Sequence, residues 1–298
     1  MSRRQRPVNG TQTLHRNGAA KPLEYRRPPP PKSASPATST RIPSMSSRKG
    51  IWFIGGIAAY AFTAYGTSLY RSYKLATIEG QKLDVPLDVS DRYDKIAKDF
   101  DSSVGLGEKV MGLTILRRWI GKMARGEVLE VSVGTGRNLM YYPMEKCKSI
   151  TLVDTSREMI EETRRKFKEL HPKYTNVRFV TQDAALPMAP PSNAGFNTIV
   201  QTMGLCSTPR PVELLKNLGT LCNKEDCQIL LLEHGQSHYQ WLNTILDNLA
   251  PVHANRYGCW WNRDIGKIVK ESGLEVVKIK RYHLGTTWWV ELRPSKEN

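Results

Sequence analysis

Short runs of apolar, mostly β-branched residues recur through the chain at Val128–Val133, Ser149–Val153, Val177–Thr181, Phe196–Thr202 and Gln228–Glu233. Runs of that length read as buried strands, and the stretches between them carry apolar residues at the three- and four-residue spacing of helices. The pattern predicts helices over 156–170 and 262–272, another led by Pro209-Arg210-Pro211, and two closing strands around 274–280 and 286–292. Strand and helix in alternation predict an α/β fold with a doubly wound, mostly parallel, seven-stranded Rossmann-like sheet. Ahead of the first strand, Ser90 is placed to cap a helix over 91–101, with Tyr93, Ile96 and Phe100 on its buried face.

The front of the chain follows another pattern. Residues 51–70 contain no charge and are bracketed by Arg48-Lys49 and by Arg71 and Lys74. At 1.5 Å rise per residue the run reaches about 30 Å, the thickness of a bilayer core, which predicts one transmembrane helix. Gly55 and Ala59 form a small-xxx-small pair suited to packing on another helix. The expected organisation is a disordered basic arm over 1–50, the span over 51–70, a linker over 71–89 and a catalytic domain over 90–294.

Charge sharpens the reading of the arm. Of the 44 basic residues, eleven lie in the first 50 positions against one acid, Glu24, so most of the formal +16 belongs there. An Arg-rich, acid-poor, Ser/Pro-rich segment, with Pro28 to Pro31 in a row, has the composition of a mitochondrial transit peptide. Basic residues before the span and near balance after it put the N-terminus in the matrix and the domain in the intermembrane space. The folded part is too weakly basic to argue for nucleic acid, and Arg117, Arg118, Lys122 and Arg125 read as a solvated helix face near an anionic membrane. Five scattered cysteines without CxxC or zinc spacing predict reduced thiols and no metal site.

Candidate chemistry gathers at the first strand. Val128-Leu129-Glu130-Val131-Ser132-Val133-Gly134-Thr135-Gly136-Arg137-Asn138 reads as strand, tight two-glycine loop, helix. Gly134 and Gly136 tolerate φ > 0 and let backbone N–H groups close on a ligand. Leu139 stands where GxGxxG needs its third glycine, and GxxxxGK[ST] is absent, which argues against a phosphate ligand. The second strand ends in Asp154, some twenty residues past the glycines, where a carboxylate can take both ribose hydroxyls or cap the next helix.

This constellation resembles the Rossmann-like S-adenosylmethionine methyltransferases. Glu130-x-x-x-Gly134-x-Gly136 looks like their cofactor loop, with Ser132 where many members carry a first glycine. The resemblance implies S-adenosylmethionine as cofactor, bound by Glu130, Ser132, Gly134, Gly136, Asn138, Asp154 and Thr155, with Asp183 on the adenine amino group and the Ala184 backbone against the ring. It also implies Gln201 and Thr202 beside the methionyl end and Tyr93 shielding the sulfonium. Val-Leu-Glu-Val early and Leu232-Glu233-His234 late are similar to the membrane-anchored methyltransferase-like group, and the transit-like arm and span are most similar to its fungal mitochondrial inner-membrane members that suppress oxidase-assembly defects.

Methyl transfer from a sulfonium is an in-line displacement, and a base is needed only for an acceptor protonated at neutral pH. His234 and His238 are candidates, with Glu233 orienting them or holding the cofactor; each reads more readily as a structural hydrogen-bonding group than as a base. The expected function is mitochondrial inner-membrane methyl transfer to a small lipophilic or thiol acceptor. The alternatives are an assembly or scaffold factor with inner-membrane protein partners, and a protein or RNA methyltransferase.

Overall fold

The computed structural model describes residues 48–295; most of the basic arm, and with it the transit-like reading, lies outside the described residues. The chain divides between Ala59 and Tyr60 into two units. In the first, the described residues form the opening of helix α1, Arg48–Lys82. No helix among the described residues is long and apolar enough to cross a membrane, which corrects the span predicted over 51–70. Absence of charge is not apolarity: Tyr60, Thr63, Tyr65, Thr67, Ser68 and Tyr70, with three glycines, dilute the run. The expected linker over 71–89 is largely helical too, and Asn248 Nδ2 donates to the Tyr73 hydroxyl at 2.6 Å.

The second unit is built on one seven-stranded sheet. Its strands are β1 (Gly126–Val131), β2 (Cys147–Asp154), β3 (Val177–Thr181), β4 (Thr198–Thr202), β5 (Gln228–His234), β6 (Glu275–Tyr282) and β7 (Thr287–Arg293). They lie in the order β3-β2-β1-β4-β5-β7-β6, with β1 to β5 parallel and β7 antiparallel between β5 and β6. The order reverses between β1 and β4, and ligands of open parallel sheets bind beyond the strand carboxyl ends at such a switch.

Helices cover both faces: α2 (Arg92–Ile96), α3 (Phe100–Val110), α4 (Leu113–Lys122), α5 (Arg157–Leu170), α6 (Pro211–Thr220), α7 (Gln240–Tyr257) and α8 (Ile265–Ser272). Alternate strand residues enter two cores. Leu129, Val131, Ile199 and Leu231 pack with α6 and α8, while Val128, Leu152, Val200 and Leu232 pack with α4 and α5. The single helix predicted over 91–101 is broken into α2 and α3. Ser90 does not cap it, because the Ser90 hydroxyl donates instead to Asp88 Oδ1 at 2.7 Å. Ser156 caps α5 by accepting from Met159 N, so Asp154 is free of that duty.

The expectation of uniformly reduced thiols is also corrected. Cys222 and Cys227 form a disulfide with Cα atoms 5.5 Å apart, while Cys147, Cys206 and Cys259 are free and buried. The turn between α6 and β5 brings the pair together, a proximity that a spacing of five residues does not reveal by itself.

Candidate cofactor pocket

The loop after β1 turns on three residues with left-handed backbone: Ser132 (φ 51°), Gly134 (φ 56°) and Gly136 (φ 74°). Ser132 thus adopts, as a non-glycine residue, a conformation that costs roughly 1–2 kcal/mol with a side chain. A Cβ on Gly134 would meet nothing within 4 Å, so the loop is open toward the pocket there. The helix expected next is only a 3-10 turn, Leu139–Tyr141. Pro143 explains the stop, since it pushes Tyr142 into extended backbone (ψ 129°). A helix N-terminus is therefore not part of this site.

Asp154, at the end of β2, accepts from Gly134 N at 2.8 Å and from Ser156 N at 3.0 Å. Burial raises its carboxyl pKa above the ordinary value, opposed by those backbone N–H groups. The carboxylate ties the loop to the second strand and still lines a cavity of about 120 Å³. Ser132, Gly134, Thr155, Asp183, Ala184, Thr202 and Gly204 share its wall, with Tyr93 and Phe100 from α2 and α3 on the other side. The Tyr93 hydroxyl is 2.8 Å from Ser207 Oγ and donates to the Gly258 carbonyl at 3.1 Å.

Asp183 accepts from Ala185 N at 2.8 Å and pairs with Arg210 at 2.5 Å, so its carboxylate is already engaged from two sides. Gln201 is fully buried and neither atom of its amide has a partner among the described residues. Buried amides are nearly always paired. Its neighbour Gly204 forms a tight cradle, where a Cβ would lie 2.5 Å from the Ser132 Cβ and 2.8 Å from Gln201 Nε2. Gln201 itself is not on the cavity wall; the bare backbone at Gly134 and Gly204 and the carboxylate at the strand edge fit a polar, nucleoside-bearing ligand.

Other expected ligands stand behind the loop. Glu130 is buried beneath it and accepts from Asn138 Nδ2 at 2.8 Å and from the Tyr142 hydroxyl. Burial lifts its pKa to about 7 against those two donors. Neither Glu130 nor Asn138 is among the pocket-lining residues; their mutual hydrogen bond, with the Tyr142 hydroxyl on Glu130, makes them braces behind the loop. Gly136 is likewise packed against Leu139.

None of the three residues expected to act on the acceptor reaches the cavity. The fully buried carboxylate of Glu233 accepts from Gly204 N at 3.2 Å and Leu205 N at 3.1 Å, fixing the loop after β4. His234 points to the opposite face of the sheet, where burial lowers its pKa to about 4. His238 is exposed and packs on Tyr239, ring centroids 4.2 Å apart. The three miss the cavity for different reasons: the Glu233 carboxylate is taken up by the loop after β4, His234 faces the other side of the sheet, and His238 lies past the strand.

Sequence reading also misplaced Arg117, which is not solvated. It is 5% exposed, lines the cavity, pairs with Glu108 at 2.9 Å and donates to Asn138 Oδ1 (3.2 Å) and Thr202 Oγ1 (2.7 Å). The signal was present: Leu113, Leu116, Arg117 and Ile120 fall at i, i+3, i+4 and i+7, one helix face. Arg137 joins the network through Glu108 (2.7 Å) and Asp101 (2.9 Å), and Asp101 also accepts from Thr135 and Lys166. Burial pushes the Glu108 pKa up, but the two guanidiniums outweigh it and hold the carboxyl below its usual value.

Comparison with known proteins agrees with this layout. Residues 108–279 match the family model described as a methyltransferase domain. The chain belongs to the methyltransferase-domain family. Over 215 residues it is 41% identical to the mitochondrial methyltransferase OMS1 of Saccharomyces cerevisiae, an alignment covering 68% of this chain and 45% of the yeast protein. Among solved structures, the methyltransferase domain is similar in fold to DhpI in its complex with SAH (TM-score 0.50, 17% identity, 68% of this chain and 94% of that one). It is also similar to the complex of the Haloferax volcanii Trm112 activator with a methyltransferase (TM-score 0.50, 12% identity, 68% and 98%).

Proposed function

We propose that the chain is an S-adenosylmethionine-dependent methyltransferase acting at a mitochondrial membrane on a small lipophilic or thiol-bearing acceptor. The observation that carries this reading is the Asp154 carboxylate, held at the open carboxyl edge of the sheet by Gly134 N and Ser156 N while lining the cavity. Family membership supports the reaction class, and the similarity to a mitochondrial yeast methyltransferase supports the organelle. The cofactor when bound supplies an electrophilic methyl group. Asp154 is positioned for its sugar, Asp183 and Ala184 for its base, and Thr202 and Gly204 for its amino-acid end, with Tyr93 and Phe100 on the same cavity wall. Gln201, expected at that end, lies behind Gly204 and off the wall.

The chain's contribution to rate is orientation and exclusion of water, a proximity effect of several kcal/mol in favourable cases, on the order of 7–11. Among the described residues no histidine lies on the cavity wall, which favours acceptors that ionise readily near neutral pH, as thiols do.

Isothermal calorimetry with S-adenosylmethionine tests the reading. The unmodified protein binds, and Asp154→Ala weakens binding by about 100-fold, the loss of two charge-assisted hydrogen bonds at roughly 1.5 kcal/mol each. Tracing labelled methyl into thiol, lipid, protein and RNA fractions then assigns the acceptor. Absence of binding, with full complementation by Gly134→Arg, would overturn the enzyme in favour of a scaffold.

A further inference from the structure

Helix α3 is amphipathic in the reverse sense. Its acids face inward, Asp101 to Thr135, Arg137 and Lys166 and Glu108 to Arg117 and Arg137. Phe100 faces the pocket, but two apolar residues face out: Leu106 is 74% exposed and Val110 80%, with Lys109 exposed between them. A helix that turns its acids inward and shows apolar side chains beside a cation suits an apolar, anion-bordered medium outside it. The exposed set continues onto α4 through Met111, Ile115 and Trp119, the last 53% exposed. His283 Nε2 donates to the Met111 carbonyl at 2.8 Å, which brings exposed Leu284 to the same edge.

The charge on this face has one sign. Between Ser102 and Ala124 the only acid is Glu108, and it is turned inward, whereas Lys109, Arg118 and Lys122 are exposed and none is in an ion pair among the described residues. Apolar side chains level with unpaired cations match the boundary between the acyl chains and headgroups of an anionic bilayer.

We infer that the outer face of α3 and α4 docks on an anionic phospholipid surface. The inference rests on the proposed function for its consequence: the docked face is the back of the helix whose Phe100 lines the pocket, so an acceptor dissolved in the bilayer meets the pocket where α3 borders it. Nearness of the lid to lipid, rather than a histidine or a dedicated tunnel, selects lipophilic acceptors.

The test uses the full chain carrying Val110→Cys labelled with a polarity-sensitive dye; the free native thiols are buried and do not compete. Vesicles of phosphatidylcholine with about one-fifth phosphatidylserine, whose surface attracts basic segments, are expected to shift the dye to the blue. Neutral vesicles give a much smaller shift, and Arg118→Glu with Lys122→Glu removes it. A label at Lys173→Cys, in the loop preceding β3 at the amino edge of the sheet, stays unshifted. No shift at position 110, an equal shift at 173, or a shift produced by polyuridylate and not by vesicles overturns docking. Calorimetry with S-adenosylmethionine on the same samples separates the two readings, since cofactor binding without a shift rejects only the docking surface, and a shift without cofactor binding rejects only the methyltransferase.

Discussion

The loops after β1 and β4 are made alike and used differently. Each opens with a non-glycine residue in left-handed backbone, Ser132 at φ 51° and Met203 at φ 56°, and each has its backbone N–H groups taken by an acid from the neighbouring strand. Asp154 holds the first loop and lines the cavity; Glu233 holds the second and is sealed away. A carboxylate that pins a loop becomes a ligand only where the sheet edge leaves it a lone pair facing the ligand. Both loops cross at Ser132 and Gly204, so the pocket floor is a contact between the two pinned turns.

The largest expected break is Glu233→Ala. It leaves two buried N–H donors without an acceptor and opens a small void, and should cost about 4 kcal/mol in chemical denaturation. Asp154→Ala, whose two backbone donors border the open cavity where water can replace the carboxylate, should cost less in the same denaturation while weakening cofactor binding about 100-fold. Equal loss of stability in the two variants would erase the distinction drawn between them.

A third acid sharpens the point. Glu130, beneath the first loop, has a folded-state pKa of about 7 against an ordinary 4.5. The folded protein holds that proton where the unfolded chain releases it, so this contribution is full below about pH 4.5 and is lost as pH rises to about 7. His234 works the other way: lowered from 6.5 to about 4, it contributes fully above pH 6.5 and is lost on acidification through about 4. The two nearly cancel. Glu130→Gln should uncover the histidine slope, a fall of roughly 3 kcal/mol in stability between pH 6.5 and 4. A level profile in that variant would show that Glu130 is not the group titrating there.

The smallest effects come from the glycines of the two loops. Gly204→Ala forces the loops apart and should cost about 2 kcal/mol. Gly134→Ala meets no neighbour and should cost only about 1 kcal/mol, the strain of a side chain at positive φ. Paired thermal melts rank them, and the reverse order would mean that strain outweighs the crossing contact.

Local pattern alone determined much of this protein. The apolar and β-branched runs pointed to all seven strands and their alternation with helices. The central strands, buried on both faces, are apolar at consecutive positions, while the edge strands β3 and β6 are marked by β-branched residues amid exposed polar ones. Gly134 and Asp154 were readable as partners, since a strand end and a loop twenty residues earlier are neighbours whenever two parallel strands pair. What local pattern left open was direction and company. Whether Glu130 or Ser132 faces the pocket, whether His234 or Glu233 can reach it, and whether Arg117 is solvated depend on which side of a strand or helix meets another element. The same holds for the Cys222–Cys227 pair and for the reversed face of α3. Those are facts of packing between segments distant in sequence, and only the tertiary structure decides them.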